Sequence, residues 1–189
     1  MARDSSATKA RILAAAFDEF AEYGIAGARV DRIADTAGAN KRMIYVYYGN
    51  KEQLFDQVLQ EAMEQGAESV PFDADNLPAY AGAVFDHLTA DPRLMRLVMW
   101  KRLERPTATA TEAEAYARKN TALKEAQQSG RVDATHDAPD VLTLVIALAQ
   151  AWFTTATEPP TPAHRAAVVD AVARLVDPHR YATDGAGAG

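Results

Sequence analysis

Residues 29 to 54 read RVDRIADTAGANKRMIYVYYGNKEQL, and the spacing inside this stretch decides the fold. Val30, Ile33, Ala34 and Ala37 recur at i, i+3, i+4 and i+7, which lines one face of a short helix. Gly38 can take the left-handed conformation that ends it. Asn40 offers a side-chain oxygen to the free N–H groups of a following helix, Lys41 to Tyr48. The link Gly38, Ala39, Asn40 has the length of the tight turn in a helix-turn-helix. Gly49 breaks the second of these helices. Asn50 to Gln53 then forms a capping box, launching a helix with the apolar face Leu54, Phe55, Val58, Leu59, Ala62 and Met63. Upstream, Leu13, Ala16, Phe17 and Phe20 mark one face of a helix from Lys9 to Tyr23, with Gly24 as its left-handed cap.

A helix-turn-helix lays its second helix in the major groove and presents that helix's N-terminal residues to base edges. Lys41, Arg42 and Tyr45 share an outward face at i, i+1 and i+4, while Ile44 and Tyr48 can turn inward toward Val30 and Ile33. Lys41 or Arg42 can donate to guanine O6 and N7, and Tyr45 can pack on a thymine methyl or reach a phosphate. Asn40, at the tip of the helix, joins this candidate set. Lys51 falls in the first turn of the next helix, where free backbone N–H groups and a cation together grip a phosphate, with the Tyr47 hydroxyl as a second donor. Arg29 is a third phosphate candidate. Tyrosines at a helix end are often plain core filler, and solvated lysines often bind nothing specific. The signal lies in their conjunction with the helix-turn-helix spacing.

The 189-residue chain has a formal net charge of -6, which by itself disfavours a polyanion partner. The distribution reverses that inference. Residues 1 to 60 balance Arg3, Lys9, Arg11, Arg29, Arg32, Lys41, Arg42 and Lys51 against eight acids, so the whole excess of negative charge lies downstream. Between 27 and 51 five basic residues face only Asp31 and Asp35, a local patch adequate for a groove-reading module. Without cysteine the chain can form no disulfide, thiolate metal site or cysteine nucleophile. The polar N-terminal residues and the lack of a long apolar run predict a cytoplasmic protein that does not enter a membrane.

The remainder also reads as helical. Pro71 to Pro78 is expected to be a loop, followed by a stripe of Tyr80, Ala81, Val84, Phe85 and Leu88. Asp91 and Pro92 supply a cap and a first-turn proline for Arg93 to Glu104. Thr111 to Glu114 is read as a capping box for a helix reaching Gln128, stopped by Ser129 and Gly130. Val141 to Phe153 is almost continuously apolar, so it must be covered on every side. Thr161 and Pro162 start a last helix to Val176, and the tail from Ala182 has a disordered composition. The prediction is an all-α protein of about nine helices, with a DNA-binding domain at 1–60 (helix-turn-helix about 29–48), a second domain at 61–181 and a disordered tail at 182–189.

The run from Ile12 to Leu59 resembles the DNA-binding domain of the TetR family of repressors. The likeness rests on Gly24, Val30-Asp31-Arg32-Ile33-Ala34, Ala37-Gly38, the segment Lys41 to Tyr48, and Asn50-Lys51-Glu52-Gln53-Leu54. It implies that Tyr45 and Tyr47 occupy the family's tyrosine positions and Lys51 its phosphate-binding lysine. Where the family often caps helix two with Thr or Ser, this chain has Arg29. The rest is similar to the family's divergent ligand-binding and dimerisation region, with one subgroup echoed in the stretch from Asp91 through Trp100 to Glu104. By that likeness the last two helices pair with their mates in a homodimer, through Leu144, Leu148, Trp152, Val168, Val172 and Leu175. A helix apolar all round in so small a domain independently calls for a partner surface.

Met63, Phe85, His87, Met95, Met99, Trp100, Tyr116, Trp152 and Phe153 are the soft and aromatic residues that could line a ligand pocket. The resemblance implies a small hydrophobic or amphipathic effector that releases the protein from a palindromic operator. The four histidines lack metal-ligand spacing, and no cofactor is expected. An enzyme is disfavoured, since the chain has no phosphate loop, nucleophile elbow or HExxH and Glu112 and Glu114 diverge on their helix. A helical adaptor that dimerises without touching DNA is the alternative, and it leaves the basic window at 27–51 unexplained.

Overall fold

The computed structural model describes residues 2–177. Its helices are α1 (Ala2–Gly27), α2 (Val30–Ala37), α3 (Lys41–Tyr48), α4 (Lys51–Ser69), α5 (Leu77–Ala90), α6 (Pro92–Glu104), α7 (Ala110–Gln128), α8 (Ala138–Thr154) and α9 (Pro162–Val176), with no strand among the described residues. None of these helices is long and apolar enough to cross a membrane. The expected tail from Ala182 lies outside the described residues, as does Pro178.

Two compact units divide the chain. The first takes in the chain through Gly66 together with Asp91–Thr107, so it holds more sequence than the 1–60 segment read from the helix-turn-helix alone. Its core gathers Ile12, Ala16 and Phe20 of α1, Val30 and Ile33 of α2, Ile44 of α3, Leu54, Phe55 and Val58 of α4, and Leu97 of α6. Phe20 and Phe55 meet edge to face with centroids 5.2 Å apart, the arrangement the ring quadrupoles favour. The buried stripe of α1 is centred on Ile12, Ala16 and Phe20, whereas Leu13 and Phe17 form its half-buried shoulder.

Gly24 does not end α1 but kinks it, at φ 68° and ψ -176°, after which one more turn runs to Gly27. This backbone region is open almost only to glycine. α6 packs against the kink. Trp100 Nε1 donates to the Ala21 carbonyl at 3.3 Å, Arg96 Nε donates to the same carbonyl at 2.9 Å, and Glu104 Oε2 accepts from the Ala26 N–H at 2.8 Å. At the other end of α6, Asp91 caps through the Arg93 N–H, and the Arg93 guanidinium pairs with Asp18 and Asp91 while covering the Phe17 ring.

The second unit comprises Ala67–Ala90 and the chain from Ala108 onward. Its core includes Leu77, Ala81 and Phe85 of α5, Leu123 and Ala126 of α7, Val141, Leu142, Val145 and Ala149 of α8, and Val168 and Val172 of α9. Two sequence expectations shift here. α5 begins at Leu77, inside the segment read as loop, because Pro78 fits a first turn and Asn76 Oδ1 accepts from the Ala79 N–H at 3.2 Å. The box that opens α7 is Thr109–Glu112 rather than Thr111–Glu114. Both frames satisfy the motif, and the earlier one prevails with Thr109 N–H on Glu112 Oε2 at 2.7 Å and Glu112 N–H on Thr109 Oγ1 at 3.2 Å.

Candidate nucleic-acid interface

The turn between α2 and α3 is built as its residues dictate. Gly38 is left-handed at φ 57° and ψ 40°, with backbone N–H groups of the turn returned to Ala34 and Asp35. Asn40 Oδ1 accepts from the Arg42 N–H at 2.8 Å and so opens α3. At the other end Gly49 has φ 77°, and the Asn50–Gln53 box starts α4 with reciprocal bonds of 2.8 and 3.0 Å. Ile44 is the buried anchor of α3. With that side chain pinned inward, Lys41, Arg42, Tyr45 and Val46 are all exposed, Tyr45 at 45% and Val46 at 65%. Tyr48 is half-buried, not fully inward: its hydroxyl donates to the Lys9 carbonyl at 3.1 Å. Burial raises the Tyr48 phenol to about 12, with Glu61 and Tyr47 adding to the effect.

α2 is held by a residue that the spacing did not single out. Glu19, on the buried side of α1 and only 8% exposed, accepts from the Arg29 backbone N–H at 2.7 Å and from Arg32 Nε at 2.8 Å. Arg32 also stacks over the Tyr23 ring and donates to the Gly27 carbonyl. Arg29 stands at the N-cap of α2 without a side-chain cap bond, so the hydroxyl missing from this position has no substitute on Arg29 itself. A clue was present: Glu19 falls on the face of Ile12, Ala16 and Phe20, which is otherwise apolar, and a carboxylate held there needs N–H or cationic partners.

The remaining cations are placed unevenly. Arg29 and Arg42 are exposed, with their guanidinium groups in no ion pair among the described residues. Lys41 Nζ instead contacts Asp31 at 2.7 Å. The hydrogen bond in that pair holds Asp31 below and Lys41 above their ordinary values, against a smaller opposing effect of desolvation. Lys51 Nζ reaches the Ala28 carbonyl at 3.2 Å and the Ala26 carbonyl at 3.4 Å, tying α4 to the end of α1. Tyr47 lies half-buried, its hydroxyl 3.4 Å from Ser5 Oγ and its ring under Lys9 Nζ at 5.1 Å.

The residues read as a ligand pocket are split between the units. Met63, Met95, Met99 and Trp100 belong to the first: Met95 is buried, Met63 packs on the core, Met99 is exposed, and Trp100 grips the α1 kink. Tyr116, on α7, is exposed. In the second unit Phe85 meets Trp152 and Phe153 edge to face at 6.5 and 5.4 Å, and the Trp152 ring stacks on His164 at 4.7 Å. His87 Nε2 is buried there with no hydrogen-bond partner among the described residues. A separate open groove of about 520 Å³ runs between α7 and the segment entering α8, lined by polar side chains such as Asn120, Lys124, Gln127 and His136. None of the nine predicted pocket residues lines it.

The residues read as a dimer face also divide. Val168 and Val172 are 1% and 0% exposed inside the unit's own core, where α9 packs on α5, so they cannot meet a partner. Leu144 is 43% exposed on α8, and Leu148, Trp152 and Leu175 are half-buried. Helical period places the inward face on Val141, Leu142, Val145 and Ala149, leaving Leu144 and Leu148 on the stripe that flanks it, where Leu148 still packs on the core.

Residues 12–58 match the model for bacterial regulatory proteins of the tetR family, and residues 76–175 match that for the tetracyclin repressor-like C-terminal domain. The chain is 47% identical over 152 residues to the HTH-type transcriptional repressor SCO4008 of Streptomyces coelicolor, covering 78% of this chain and 79% of that protein. Among solved structures, a transcriptional regulator of Streptomyces coelicolor, SCO4942, superposes with a TM-score of 0.80 at 39% identity, over 89% of this chain and 98% of that one. A TetR family transcription regulator from Marinobacter aquaeolei VT8 shares the fold alone, with a TM-score of 0.74 at 20% identity over 93% of this chain and 98% of the other.

Proposed function

The chain belongs to the TetR family, dimeric helix-turn-helix regulators that bind operator DNA and small-molecule effectors, and from that premise we propose that it is a repressor reading a near-palindromic operator through α3. One observation carries this reading: burial of Ile44 turns Lys41, Arg42 and Tyr45 outward together on a helix capped at both ends. In this reading Arg42 and Lys41 address base edges, Tyr45 a thymine methyl or phosphate, and Arg29, Tyr47 and Lys51 the backbone. Asn40 serves mainly to cap α3. Lys51 has a structural bond to exchange on docking, since its ammonium rests on the carbonyls of Ala26 and Ala28. The recognition helices of a dimer then fall about one turn of duplex apart, roughly 34–36 Å, or a multiple of it.

Dimerisation is assigned to the flanking stripe of α8 with Leu144 and Leu148, joined by Trp152 and Leu175. The effector is assigned to the second unit beside the aromatic cluster of Phe85, Trp152 and Phe153. A compound there acts only by binding the DNA-competent and released forms with different affinity. Regulation in the cytoplasm without catalysis completes the reading.

The test is selection of duplexes from a random-sequence library, followed by mobility shift. A palindromic consensus, with affinity lost on Arg42→Ala and Tyr45→Ala, supports the proposal. Selection of no consensus by the folded dimer would overturn it.

A further inference from the structure

The basic window read from the sequence contains an acid that the fold places directly on its leading lysine. Asp31 stands in the first turn of α2, where a carboxylate already gains from the free N–H groups and the helix dipole. Lys41 is the first residue of α3. The glycine turn brings these two helix starts together, and the carboxylate meets the ammonium at 2.7 Å with both side chains about half exposed. Arg29 and Arg42 flank the pair without ion pairs of their own among the described residues. The leading cation of the recognition helix is therefore already neutralised.

Building on the DNA-binding reading above, we propose that Asp31 is a specificity-determining residue, which holds Lys41 so that the surface is penalised on phosphate alone and accepted where base edges engage both charges. A phosphate that takes Lys41 leaves the Asp31 carboxylate beside a polyanion with only the weaker field of Arg29 to offset it, so a solution cation returns to it. The net release of counterions from that contact is close to zero. In the major groove the same two groups have complementary partners, because guanine O6 and N7 accept from an ammonium while cytosine N4 donates to a carboxylate. A step pairing those edges keeps both charges satisfied. Asp31 thus lowers affinity for arbitrary sequence more than affinity for the operator.

The experiment compares wild type, Asp31→Asn, Asp31→Glu and Asp31→Asn/Lys41→Gln by fluorescence anisotropy. One probe is the duplex selected by the wild-type dimer from a random library; the other is a scrambled duplex of about three helical turns. Freed Lys41 adds about one phosphate contact per protomer, so the Asp31→Asn dimer steepens its salt slope on scrambled DNA by about 1.8. Between 50 and 200 mM salt it then loses about twelve-fold more affinity than wild type loses, from a tighter starting point at low salt. Its ratio of selected to scrambled affinity falls. Asp31→Glu, whose longer acid still reaches Lys41, retains the wild-type slope, and the double variant returns to it. An unchanged slope and ratio in folded Asp31→Asn overturns the inference while leaving the DNA-binding reading intact. Weaker binding to both probes with a lowered melting temperature also overturns it, since Asp31 would then serve only the start of α2. Failure of wild type to select any duplex sinks the DNA-binding reading itself.

Discussion

Replacing Gly24 with alanine tests whether the kink in α1 is held by shape as well as by backbone geometry. At φ 68° and ψ -176° a residue with a Cβ is strained by about 1–3 kcal/mol. An added Cβ would also stand 2.8 Å from Cδ2 and Cε3 of Trp100 and 2.5 Å from Glu104 Oε1, closer than real contacts allow. Overpacking of that kind costs about 1–3 kcal/mol. Moving Trp100 and Glu104 aside further weakens their bonds to the Ala21 carbonyl and the Ala26 N–H, about 1 kcal/mol net. A total of about 3–7 kcal/mol follows, equivalent for a chain of this length to a fall in melting temperature of about 6–28 °C. Gly38→Ala is the control. Gly38 is also left-handed, but nothing lies within 4 Å of its missing Cβ, so only the backbone penalty of about 1–2 kcal/mol applies. Urea titration and thermal melts followed by circular dichroism give both values. If Gly24→Ala costs no more than Gly38→Ala, the claim that Trp100 and Glu104 close on the kink is wrong. A positive coupling with Trp100→Ala in a double-mutant cycle would locate the clash on the indole.

Lys51→Met should weaken binding to selected DNA and also cost about 1 kcal/mol of stability, because it removes the donor to the Ala26 and Ala28 carbonyls; urea titration beside anisotropy separates the two effects. Leu144→Asp should shift the dimer toward monomer in sedimentation velocity with helicity retained, whereas Val168→Asp should unfold the second unit, since Val168 is 1% exposed in its core. Tyr48 carries a pH prediction: its folded phenol is raised to about 12 against an ordinary value of 10, so its contribution is complete below pH 10 and is lost as pH climbs from 10 toward 12. Tyr48→Phe should lack that portion of the alkaline destabilisation, as read from melting temperatures across the range.

What the amino-acid sequence determined by itself is local. The residues that start, stop and pattern each helix act within four or five positions of one another, so Gly38 with Asn40, the Asn50–Gln53 box and the i, i+3, i+4, i+7 faces placed α2, α3 and α4 correctly and turned Lys41, Arg42 and Tyr45 outward. The same local chemistry was degenerate where two frames fitted, as at Thr109 and Thr111, or where a proline suited both a loop and a first turn, as at Pro78. Partnerships across long stretches of chain needed the fold. Glu19 under Arg29 and Arg32, Trp100 on the Gly24 kink and Asp31 on Lys41 each join residues whose meeting depends on how helices pack. The apolar faces of α8 and α9 were legible, but period alone could not say which face the chain keeps. Packing of α9 on α5 took Val168 and Val172 into the core and left Leu144 outside, because only one side of a helix can lie against its own unit.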